Sequence, residues 1–72
     1  MNFGQAIEAM QEGKLVQRAN WNGPGQWLAI ETPTSGDAMT LPYIYIKTVQ
    51  GDFVPWLASQ TDMLADDWQV VA

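Results

Sequence analysis

The sequence has no cysteine and no histidine. Disulfides are therefore excluded, and so is a zinc site of the usual Cys/His kind. The common nucleophile–base pairs of hydrolases are missing for the same reason. Basic residues are scarce: Lys14, Arg18 and Lys47 stand against eight acids, for a formal net charge of −5. Non-specific DNA or RNA binding needs clustered cations to displace counterions, so neither is an expected partner. An anionic membrane surface is disfavoured on the same ground. No stretch approaches the roughly 20 apolar residues of a membrane span. The N-terminus carries no basic flank followed by an apolar run, so no signal peptide is expected. A soluble intracellular protein is expected, and no cofactor or metal is called for.

Aromatic residues are plentiful, with four tryptophans among 72 residues. A chain of this length is read as a single domain, residues 1–72. It buries only about 60% of the surface its unfolded form exposes, which makes it marginally stable alone. With staples of cysteine or metal excluded, oligomerisation is the remaining support. A homo-oligomer is therefore expected.

Asn2 and Gln5 have the spacing of a capping box. Phe3, Ala6, Ile7 and Met10 follow at helical spacing, and Gly13 is placed to end the helix in the left-handed conformation. A helix is expected over 2–13. Lys14 to Arg18 alternates as a first strand. The turn residues of NWNGPGQW lead into a second strand over 26–31, in which Trp27 is assigned to the core. Residues 32–42 form a polar loop with proline near each end. YIYIKT is the strongest strand, with Tyr43 and Tyr45 on one face and Ile44 and Ile46 on the other. Phe53-Val54 is a short strand that Pro55 ends or places at an edge. Ser59 and Asp62 form a second capping box, and Trp68 to Val71 is a last strand. The sum is α+β: one N-terminal helix packed on a small antiparallel sheet of four or five strands.

The chemistry is concentrated between Gly51 and Trp68. Aromatic walls beside hydrogen-bonding groups suit a small-ligand pocket, and they equally suit a subunit contact. Trp21, Trp56 and Trp68 each lie next to a turn and are candidate stacking walls for a base. Asn22, Thr48, Gln60 and Asp62 supply donors and acceptors for a base edge or ribose hydroxyls. Arg18 is the candidate for a phosphate, because its guanidinium fork matches phosphate oxygens. The plainer alternative for Arg18 is a surface pair with Glu8 or Glu31. For the tryptophans it is the core or a subunit interface. Asp62, Asp66 and Asp67 offer a weak metal-hydrolase reading, against a cap and a turn as their structural roles.

Three segments, MNFGQAIEAMQEGKLVQRANWNG, a strand ending IKT, and GDFVPWLASQTDMLADDW, resemble in order and spacing the phage and prophage proteins related to the second Thoeris anti-defence family. That resemblance implies a homotetramer acting as a sponge, a protein that sequesters a nucleotide immune signal without cleaving it. The implied signal is a cyclic ADP-ribose isomer made by a TIR-domain enzyme in the infected bacterium, with cyclic oligonucleotides as a second class. The expected activity is thus non-enzymatic. The alternative is an acidic phage protein that inhibits a host protein by direct binding.

Overall fold

The computed structural model describes residues 1–21 and 23–72. Helix α1, Phe3–Gln11, starts at Asn2, whose side chain accepts from the Gln5 amide while the Gln5 side chain accepts from the Asn2 amide. It ends in a Schellman motif: the Gly13 amide donates to the Met10 carbonyl at 2.9 Å, and the Lys14 amide to the Ala9 carbonyl at 3.1 Å. Gly13 adopts φ +88°, a conformation cheap only for glycine. Lys14 is drawn into this cap, so the first strand, β1, is shorter than expected and runs Val16–Arg18.

The other strands are β2, Trp27–Glu31, β3, Tyr43–Lys47, β4, Phe53–Pro55, and β5, Trp68–Val70. A five-residue helix α2, Gln60–Leu64, precedes β5. All strand pairings are antiparallel, in the order β4-β3-β2-β1-β5. Pro55 lies on edge strand β4, where its missing N–H is least harmful. The expected α+β architecture is the one observed, with five strands.

Alternation assigns the two faces of the sheet. Helix α1 packs on β1, β2 and β5. Beneath it Ala6, Ala9 and Met10 meet Val16, Leu28 and Trp68 to form the core. Ile30, Ile44 and Ile46 extend this apolar layer, with Leu28 opposite Ile46 and Ile30 opposite Ile44. Leu28 is 0% and Trp68 is 2% exposed. Phe3 packs against this core as its place on the apolar stripe of α1 required.

Trp27 does not. It was expected in the core, yet it lies outside the core cluster, against Tyr45 and Phe53 with ring centroids 5.9 Å from each. The register explains this. Leu28 pairs with both Val16 and Ile46 under the helix, so its neighbour Trp27 must point to the opposite, helix-free face.

Candidate functional site

Four aromatic rings meet at one corner of the sheet. Phe3 comes from the first turn of α1, Trp21 from the segment after β1, Trp56 from just past β4, and Trp68 from the start of β5. Trp68 is the hub, with ring centroids 5.3 Å from Phe3, 5.5 Å from Trp21 and 6.1 Å from Trp56. Trp21 and Trp56 meet edge-on at 6.4 Å and 62°. Edge-to-face contacts of this kind add to area burial because the positive ring edge meets the negative ring face. Trp68 itself is sealed in the core and offers no face to a ligand, whereas Trp21 and Trp56 remain half-buried.

A polar lock holds the hub in place. The Trp68 indole N–H donates to the Asp62 carbonyl at 3.0 Å. The Arg18 guanidinium, 14% exposed, donates from Nη1 to Asp62 at 3.0 Å and from Nε to Asp67 at 2.9 Å. Arg18 and Trp68 are register partners on adjacent strands, which brings the cation beside the segment carrying both acids. The Asp67 carboxylate also accepts from the Asn20 amide at 3.1 Å. Asp62 completes the capping box of α2, accepting from the amide and hydroxyl of Ser59.

The electrostatics follow from these contacts. Hydrogen bonds first to Asp67 and then to Asp62 raise the Arg18 pKa. Burial pushes the Asp62 carboxyl up, but the combined hydrogen bonds from Ser59 and Arg18 outweigh it and leave the pKa below the ordinary value. The hydrogen bond from Arg18 is the main cause of a lowered pKa at Asp67. The network is thus ionised at neutral pH. Neither Glu8 nor Glu31 is the partner of Arg18, contrary to the surface-pair expectation. The reason is tertiary: α2 delivers Asp62, and the turn before β5 delivers Asp67, to the end of β1.

The remaining sequence candidates scatter. Gln60 opens α2 and is exposed. The Thr48 hydroxyl accepts from the Asp52 amide at 3.1 Å within the β3–β4 turn. Asn22 lies outside the described residues.

Sequence reasoning overlooked a second aromatic group on the helix-free face. Trp27, Tyr45 and Phe53 come from three adjacent strands with mutual ring distances of 5.6 to 5.9 Å. Beside them lies a hollow of about 310 Å³ lined by Glu31, Tyr43, Tyr45, Phe53, Val54 and Pro55. The alternation of YIYIK with WLAIE was the available signal, since it places Tyr45 and Trp27 on one side. No helix of the described residues is long and apolar enough to cross a membrane.

Comparison with known proteins adds two findings. The family model of the Thoeris anti-defense 2-like domain matches residues 1–71. Thoeris anti-defense 2 of Bacillus phage SP01 is 33% identical over 85 aligned residues, which cover 100% of this chain and 96% of that protein. The helix-on-sheet chain with its locked tryptophan corner belongs to the Thoeris anti-defense 2-like family.

Proposed function

We propose that this protein counters Thoeris defence by sequestering a cyclic nucleotide signal without cleaving it. A cyclic ADP-ribose isomer is the first ligand class and cyclic oligonucleotides are the second. The protein acts as a homo-oligomer, a tetramer, in the cytoplasm of the infected host. Family membership supports the anti-defence role. The observation that carries the binding reading is the Trp21–Trp56 pair, two half-buried indoles set edge-on and propped from behind by buried Trp68. Such rings present a stacking surface whose orientation is fixed before ligand arrives, so little freedom is lost on binding. Exposed Gln60, on the helix that Asp62 anchors, supplies amide groups for a base edge or ribose. Arg18 and Asp62 help fix Trp68, since the guanidinium bonds the Asp62 carboxylate and the Asp62 carbonyl accepts from the Trp68 indole.

Isothermal titration with cyclic ADP-ribose isomers and cyclic di- and trinucleotides tests this. Heat is expected with at least one of them. Trp21→Ala and Trp56→Ala should each weaken binding by about 1–3 kcal/mol, the worth of one stacked base. Ligand released by heating the complex should have unchanged mass. No heat with any of these compounds sinks the binding reading, and a cleaved product sinks the sponge.

A further inference from the structure

We infer that the helix-free face of the sheet is where this chain joins a second copy of itself, the two faces stacked about a twofold axis that runs across the strands near the level of Ala29 and Tyr45. This deepens the homo-oligomer part of the reading above and rests on it, but not on any ligand.

The first ground is the composition of the face. Register and alternation place Trp27, Ala29, Tyr43, Tyr45, Phe53 and Pro55 there. No element of the described residues covers it, and Phe53 is 63% exposed. Aromatic residues rich in contact area, with few charges among them, are the signature of an interface centre.

The second ground is the charge pattern. β2, β3 and β4 place two charged residues on this face, one of each sign. Lys47 is level with Trp27 and Phe53 at one end, and Glu31 is level with Tyr43 at the other. Among the described residues neither takes part in an ion pair within the chain. A twofold axis across the strands exchanges the two ends. It therefore sets Lys47 of each copy toward Glu31 of the other, twice per interface. An isologous contact requires this self-complementarity, and an unrelated partner does not.

The third ground is shape. The same operation carries the projecting Phe53 toward the opposite end of the neighbouring face, where the hollow of about 310 Å³ lies beside Tyr43 and Tyr45. Sheets stacked face to face with interdigitating side chains are an ordinary packing mode.

Sedimentation equilibrium with charge-reversal variants tests the register as well as the face. The unaltered chain should exceed the monomer mass. Lys47→Glu and Glu31→Lys each set like charges together twice, and each should weaken association by about 100-fold. The combined Glu31→Lys/Lys47→Glu chain should recover affinity to near the unaltered value. Phe53→Asp, at an exposed position, should abolish association with an unchanged far-ultraviolet circular dichroism spectrum. A monomeric unaltered chain overturns the inference. So does an assembly indifferent to Phe53→Asp, or one that the combined reversal fails to restore. Calorimetry on the same samples separates the two proposals: a chain that binds signal as a monomer overturns only this interface, and an associating chain that gives no heat overturns only sequestration.

Discussion

The chain builds two aromatic clusters and secures them differently. At the corner, Phe3, Trp21, Trp56 and Trp68 close around a ring whose N–H is bonded to a carbonyl, and that carbonyl belongs to a residue clamped by Arg18. On the helix-free face, Trp27, Tyr45 and Phe53 are aligned by strand register alone. The first cluster contains a side chain sealed in the core, and the second a ring mostly in solvent. One aromatic group serves the fold and fixes two neighbours at its rim. The other lies on a face that no helix of the described residues covers.

The largest expected effect comes from exchanging the roles of these clusters. Trp68→Ala empties the centre of the core and should lower the unfolding free energy by about 3–5 kcal/mol in urea titrations. Phe53→Ala, measured at concentrations where the chain is dissociated, should stay within about 1 kcal/mol. Equal losses would erase the distinction.

Arg18→Met should fall between these two. It removes the cation and leaves the Asp62 and Asp67 carboxylates without their shared donor. It should also change the response to acid. Both carboxyls have lowered pKa values when folded, so the stability they supply is complete above the unfolded value near about 4 and is lost as the pH falls through the lower folded values. Arg18→Met should therefore flatten the decline of unfolding free energy below about pH 4. An unchanged acid profile would mean that the lock contributes nothing.

A more local effect sharpens the comparison. Ser59→Ala removes the cap of α2 and should cost about 1 kcal/mol of folding stability. It should leave the sedimentation behaviour of the helix-free face untouched.

What was legible in the sequence was local. Asn2 with Gln5, Gly13, and Ser59 with Asp62 are spaced by at most a turn or so of helix from what they cap, and each does what its spacing implied. Pro55 at an edge and the alternating YIYIK strand were legible for the same reason. The Arg18 lock was not, because its partners lie 44 and 49 residues away. Arg18 was noted apart from Asp62 and Asp67, and no local rule joins a strand end to two distant acids. Trp27 was misplaced because period-two alternation separates two faces without saying which one a helix will cover. Only the pairing of Leu28 with Val16 decides that. Trp68 looked like a turn-side ring, since the bond from its indole to the Asp62 carbonyl, which permits its burial, depends on how α2 docks.

The strand order has a consequence for how the chain is made. β5 lies beside β1, so the segment translated after all the other strands inserts next to the one translated first. Trp68 and Asp67 arrive together on that segment, bringing both the largest core side chain and a partner for Arg18. A nascent chain that has not yet exposed this segment has an open core and an unmatched cation. Stable folding of the core therefore waits until β5 has emerged to pair with β1.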